Sequence, residues 1–257
     1  MFSRFIKAVC LTVATAYLCG CGGGGGSNGT ISISAPTAVT AGKAFQVKAT
    51  FTSPKGVQPM TISFTSSDPN LVPNTSADTD TAGVATGQTF AANIINGDRT
   101  VTITAHAGDL TSSAKVTVRA NKLTFNAPAK GTISGTAGSQ IEYFITGTGS
   151  LVKYTDADGT PLAGQTVSIK VNTLIGSIAN VLWHWNLVDT PYFSANPMTF
   201  TTLSDGSLPN SIISVVANSP PAGSTSDFGV NLLLSVTDPL FGTMEVPGDI
   251  AFTISTP

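Results

Sequence analysis

From Thr30 onward, apolar residues recur at every second position. Phe45, Val47, Ala49 and Phe51 alternate with Gln46, Lys48, Thr50 and Thr52. The same alternation runs through Ile31 and Ile33, Ile62 and Phe64, Val101, Ile103 and Ala105, and Ala114, Val116 and Val118. Successive side chains of a strand point to opposite faces, so each run predicts a half-buried strand with one wet face. Turn-forming pieces separate the runs: Ser53-Pro54-Lys55-Gly56, Ser67-Asp68-Pro69-Asn70, Thr81-Ala82-Gly83 and Asn96-Gly97-Asp98.

A second series follows Asn121: Ile141, Tyr143 and Ile145; Val167, Ile169 and Val171; Val230, Leu232, Leu234 and Val236; then Ile250, Phe252 and Ile254. After the N-terminal segment, no stretch holds a helical period. Short strands at this spacing, punctuated by turns, predict an all-β chain of two antiparallel sandwiches. The expected domains are residues 30–120 and 121–257, with an insertion near 173–210 in the second.

Composition narrows the function classes. Only 10% of the 257 residues are charged, against about 25% in ordinary soluble domains. Thr, Ser, Gly and Asn fill the polar positions instead. A nucleic-acid partner is therefore not expected, because phosphate contacts need a stripe of Lys and Arg.

The N-terminus follows a different pattern. Arg4 and Lys7 precede an apolar run from Ala8 to Leu18, the layout of a secretory signal peptide over residues 1–20. That run is about half of the ~20 residues a spanning helix needs. Residues 21–29 run from Cys21 through the five glycines Gly22–Gly26 to Ser27, Asn28 and Gly29. Glycine-rich chain is a flexible coil with a mean reach of about 16 Å for the eight residues 22–29. The chain has three cysteines, Cys10, Cys19 and Cys21. Loss of Cys10 and Cys19 with the signal peptide would leave the mature protein neither a disulfide nor a cysteine-based zinc site.

Leu18-Cys19-Gly20-Cys21 resembles the lipobox of bacterial lipoproteins. The resemblance implies a diacylglyceryl group on the Cys21 thiol, cleavage before Cys21 and acylation of the new amine. Such an anchor is effectively permanent, since two or more acyl chains hold a protein stably at a membrane. Gly22 stands where the family's inner-membrane retention signal would place Asp, which implies the outer membrane of a two-membrane bacterium.

A further resemblance covers most of 30–120 and, less closely, 121–257. It rests on Ala41-Gly42-Lys43 before a long strand, on Thr79-Asp80-Thr81-Ala82-Gly83-Val84-Ala85-Thr86, and on the strands Arg99–Ala105 and Ala114–Val118. It also rests on Asp156-Ala157-Asp158-Gly159-Thr160-Pro161-Leu162-Ala163-Gly164-Gln165-Thr166-Val167. These segments are similar to the bacterial immunoglobulin-like repeats of the invasin/intimin type (Big-1). The resemblance implies tandem immunoglobulin-like domains and leaves the ligand open.

Candidate chemistry is sparse. The aspartate pairs Asp78/Asp80 and Asp156/Asp158 supply some oxygens for calcium, which wants six to eight. Asp-Gly turn chemistry explains Asp158-Gly159 without metal. The segment Val181-Leu182-Trp183-His184-Trp185-Asn186-Leu187 holds both tryptophans, with Tyr192 and Phe193 nearby. Trp183, Trp185 and Tyr192 form either an aromatic binding platform for a glycan or protein, or part of the core. Val181, Trp183, Trp185 and Leu187 share one strand parity, which is the core reading. His106 and His184 lack a partner at metal-ligand spacing. No Gly-x-Ser-x-Gly elbow occurs, and neither an enzyme nor a cofactor is expected.

The expected function is a lipid-anchored cell-envelope protein whose sandwiches act as adhesion, binding or spacer modules. The alternatives are a subunit of an envelope assembly or a carbohydrate-binding module.

Overall fold

The computed structural model describes residues 29–185, 188–191, 197–210 and 212–257, excluding the side chains of 183–185 and 188–191. Among the described residues the chain is all-β apart from one short 3-10 turn, Thr148–Leu151. It divides into two compact units. Over the described residues, unit 1 comprises 29–92 and Thr100–Val118, and unit 2 comprises Asn93–Arg99 and Arg119–Pro257.

The first eight strands are β1 (Thr30–Ser34), β2 (Ala38–Thr40), β3 (Ala44–Thr52), β4 (Thr61–Ser66), β5 (Thr75–Asp78), β6 (Val84–Phe90), β7 (Arg99–Ala107) and β8 (Leu110–Arg119). They form a three-stranded sheet, β1-β3-β6, and a five-stranded sheet, β2-β8-β7-β4-β5. The alternation in β3 has the predicted phase: Val47, Ala49 and Phe51 are buried while Lys48 and Thr50 are exposed. Gly87 of β6 shows how closely the two sheets approach. A Cβ there would come within 3.0 Å of the Phe64 ring on β4. The residue is glycine because the facing sheet's aromatic occupies that space.

Unit 2 is built from β9 (Lys122–Phe125), β10 (Gly131–Ser134), β11 (Gln140–Thr146), β12 (Val152–Thr155), β13 (Thr166–Ile175), β14 (Ile178–Trp185), β15 (Val188–Pro191), β16 (Met198–Thr201), β17 (Ile212–Asn218), β18 (Ser224–Asp238) and β19 (Gly242–Thr256). One sheet runs β10-β19-β18-β13-β16, a second runs β11-β17-β14-β15, and β12 pairs with β9. The long β18–β19 hairpin stays in register from Ser224↔Thr256 to Asp238↔Gly242. Its inward residues Val230, Leu232, Leu234, Ile250, Phe252 and Ile254 are at most 2% exposed. Across the sandwich, the Tyr143 ring of β11 stacks on Phe252 of β19, with centroids 4.5 Å apart and planes at 22°. Offset stacking of this kind adds to the apolar burial of both rings.

Two features bear on the domain layout read from the sequence. Residues 178–185, read as part of an insertion, form β14, which pairs with β17 from Ile178↔Ala217 to His184↔Ile212. Its backbone is part of the sheet. A register shift between Ile178 and Asn180 interrupts the period of two at the start of this strand. Residues 93–99, upstream of the expected join at 119–122, group with unit 2. The reason is local: Ile95 is buried in the core of unit 2, and the Asn121 N–H donates to the Ile94 carbonyl at 2.8 Å.

Candidate binding surface

Of the aspartates singled out in the sequence, Asp80 and Asp156 serve turns, and Asp78 and Asp158 bind other side chains. The Asp80 carboxylate accepts the N–H groups of Ala82 at 2.8 Å and Val84 at 2.9 Å. The buried Asp156 carboxylate repeats this with Asp158 and Thr160, both at 2.9 Å. In both turns the glycine at the fourth position, Gly83 or Gly159, has positive φ and donates to the first residue's carbonyl. Positive φ without a Cβ penalty is what the turn requires there. Asp78 accepts the Thr61 hydroxyl, and Asp158 is ion-paired with Arg119 at 2.6 Å. Among the described residues, no group of three or more His, Cys, Asp or Glu is placed to hold a metal.

A hydroxyl–imidazole contact exists, between Thr65 Oγ1 and His106 Nε2 at 2.8 Å. It lies across β4 and β7, where Ser63 pairs with His106 and Thr65 with Thr104. Nucleophilic catalysis would need a third group orienting the imidazole. Among the described residues no carboxylate is hydrogen-bonded to His106, so the contact is a cross-strand pair on the outer face.

An open cleft of about 410 Å³ lies in unit 2 where the β13–β14 turn at Gly176 and Ser177 meets Pro221 and Asp227. Asp227 is held by Lys130 at 2.6 Å and by the Thr253 hydroxyl at 2.7 Å. The Lys130 hydrogen bond, more than Thr253, keeps this carboxyl below its ordinary range. The negative charge at the cleft is therefore already paired.

The outer face of β11-β17-β14-β15 is different, because apolar groups stand where a wet face would carry polar ones. Phe144 is 54% exposed and Ile212 38%. Leu182 and Val216 are half-buried beside them. The register aligns Phe144, Ser214 and Leu182 in one row across three strands, with Ile212 and Val216 in the flanking rows. Direct and diagonal cross-strand neighbours lie within ~4.5–8 Å, so these four residues form one patch. β11 is also the end strand of its sheet, which leaves one side of its backbone open to strand addition. The sequence signal for this patch is a pair of breaks in the alternation, Tyr143-Phe144-Ile145 and Ile212-Ile213, where both faces of a strand are apolar. None of these four residues is among the candidate binding residues the sequence suggests.

The backbones of Trp183 and Trp185 belong to β14, opposite Thr190 and Val188 of β15. The burial of their rings lies outside the described residues, as do Tyr192 and Cys21.

The fold class follows from strand order. In unit 1 β1, β3 and β6 share one sheet, and β4, β7 and β8 share the other. In unit 2 β11, β17 and β14 face β13, β18 and β19. A B-E pair (β3-β6 and β11-β17) against C-F-G strands (β4-β7-β8 and β13-β18-β19) is the core of the immunoglobulin-like sandwich, and the chain is an all-β protein of that class. No protein-family profile matches it, and no curated protein matches it in sequence.

Several solved structures are similar to it. A tetra-tandem repeat from the extending region of a large adhesion protein is 16% identical with a TM-score of 0.31, covering 87% of this chain and 49% of that one. The I-band fragment I67–I69 of titin is 9% identical with a TM-score of 0.25, covering 90% and 64%. A putative membrane-anchored protein from Corynebacterium diphtheriae is 11% identical with a TM-score of 0.26, covering 89% and 59%. The chain spans less than two thirds of the length of each of these structures.

Proposed function

We propose that this chain is an outer-membrane lipoprotein whose immunoglobulin-like sandwiches, kin to the invasin/intimin-type repeats, form a non-catalytic adhesion, binding or spacer module. The observation that carries the reading is Leu18-Cys19-Gly20-Cys21 followed at once by five glycines, a few residues before β1. Lipid on Cys21 would hold the membrane, the glycines would leave orientation free, and the sandwiches would be displayed. The polar side chains described above are spent on turns, ion pairs and cross-strand contacts, which suits display rather than turnover. The Phe144–Ile212–Leu182–Val216 face, together with the open edge of β11, is the surface on which a protein partner would dock or add a strand. Capture of a glycan instead would point to the tryptophan-bearing segment.

The test is metabolic labelling with a palmitate analogue in a two-membrane bacterium, followed by mass spectrometry of the N-terminal peptide. The expected product is a lipid-modified peptide starting at Cys21, with label lost in Cys21→Ser. An unmodified peptide starting elsewhere overturns the anchor. Protease shaving of intact cells then distinguishes an outward-facing adhesin, which is degraded, from a periplasmic spacer, which is protected.

A further inference from the structure

Three junctions between an Asx residue and glycine lie among the described residues: Asn96-Gly97, Asp158-Gly159 and Asp205-Gly206. Such junctions can cyclise when the glycine nitrogen is free to reach the side-chain carbonyl carbon of the preceding residue. Two of them are held against it. Gly159 donates its N–H to the Asp156 carbonyl at 3.1 Å, and the Asp158 carboxylate is bound to Arg119. Gly206 donates to the Leu203 carbonyl at 2.9 Å, while Asp205 is bound to Lys153 and accepts the Ser207 N–H.

Asn96-Gly97 lacks these restraints. Both residues are exposed. Among the described residues nothing accepts the Gly97 N–H and nothing pairs with the Asn96 amide. Gly97 has a φ of +79°, and a Cβ there would meet nothing within 4 Å. The surroundings of the junction are open on the glycine side, where ring closure needs room.

We propose that Asn96 is a site of spontaneous covalent modification, losing its side-chain amide through cyclisation onto Gly97. The deprotonated Gly97 nitrogen attacks Cγ of Asn96. The N–Cγ bond forms, the Cγ–Nδ2 bond breaks, and ammonia leaves with the proton. Water then opens the five-membered imide at either carbonyl. One opening leaves an ordinary aspartate, and the other leaves an isoaspartyl link in which the chain runs through the side-chain carbon. No oxidant, reductant or cofactor takes part.

Either product places a new carboxylate two residues from Asp98, whose Oδ1 accepts the Ala120 N–H at 2.8 Å. The isoaspartyl form also adds a methylene to the main chain one residue after Ile95, which is buried in the core of unit 2. Aging at this junction therefore acts on the segment that ties residues 93–99 into unit 2.

The experiment incubates the full chain at mildly alkaline pH, folded and in urea, and maps peptides by mass spectrometry with enzymatic methylation of isoaspartyl groups. Asn96 is expected to convert in the folded protein at a rate within about threefold of the unfolded chain, as an exposed, unbonded loop allows. The two Asp-Gly junctions should isomerise on the order of tenfold more slowly folded than unfolded, because their turn hydrogen bonds must open first. Asn96→Gln should abolish the change in that peptide alone. Protection of Asn96 equal to that of Asp158 and Asp205, or persistence of the signal in Asn96→Gln, overturns the proposal.

Discussion

Thr202 of unit 2 holds the same hydrogen-bonding position as Thr79 of unit 1. The Thr202 hydroxyl accepts the Gln165 N–H at 2.9 Å and donates to the Leu162 carbonyl at 2.7 Å, and its own N–H donates to the Gln165 carbonyl. Thr79 does the same with the Met60 N–H at 3.0 Å, the Gln58 carbonyl at 3.4 Å and the Met60 carbonyl. Each threonine precedes the turn that leads toward the next strand of the B-E sheet, β6 in unit 1 and β17 in unit 2. The two units therefore share this latch despite their different lengths.

The latch is tighter in unit 2, where Thr202 is buried and its donated bond is shorter. Thr202→Val keeps the shape but leaves the part-buried Gln165 N–H and Leu162 carbonyl without the hydroxyl. Each such group costs about 1–3 kcal/mol. The expected loss is about 2–4 kcal/mol for Thr202→Val and about 1 kcal/mol for the half-buried Thr79→Val. Chemical denaturation of the two variants measures the difference, and equal losses would contradict the burial argument.

Asp156 and Asp80 make the same two turn bonds, but only Asp156 is buried. Asp156→Ala should cost about 2–4 kcal/mol and Asp80→Ala about 1 kcal/mol. Thermal melts in buffers with and without calcium check the second half of the prediction. Because both carboxylates serve backbone N–H groups, calcium should shift neither melting curve.

Gly87→Ala should destabilise unit 1 by about 1–3 kcal/mol, since the added methyl overpacks the sheet interface against Phe64. Combining it with Phe64→Leu should recover part of that loss. A double-mutant cycle reads the coupling directly.

Stability should respond to pH at both extremes. Burial pushes the Tyr154 phenol above its ordinary value of 10.0, opposed by the hydrogen bond from Asn121 and reinforced by the charge of Asp238. A group whose folded pKa is raised gives its full stabilisation below the unfolded pKa. That contribution should hold up to about pH 10 and fall as pH rises through the folded value. Asp205 is the opposite case. Its carboxyl is held below the ordinary 3.8 by the Lys153 hydrogen bond first and by the Ser207 hydroxyl and N–H after it. Its contribution is present above pH 3.8 and lost as pH falls further. Denaturation midpoints at both ends of the pH range, in the wild type, Tyr154→Phe and Asp205→Asn, check both signs. Tyr154→Phe should flatten the alkaline limb and Asp205→Asn the acid limb.

The chain itself determined a good deal. Period-two alternation in β3, β7 and β18 set their buried faces, because side-chain direction in a strand is a local property. Asp followed by Gly at the right spacing set the turns at 80–84 and 156–160, because their bonds close within five residues. Tertiary structure decided the rest. Asp80 and Asp156 make identical local bonds, and only packing buries one of them. The pairing of β14 with β17 is a long-range choice, and the register shift at its start interrupts the local period. The exposed patch of Phe144, Ile212, Leu182 and Val216 exists only once three strands far apart in sequence align, since no local window contains all four residues.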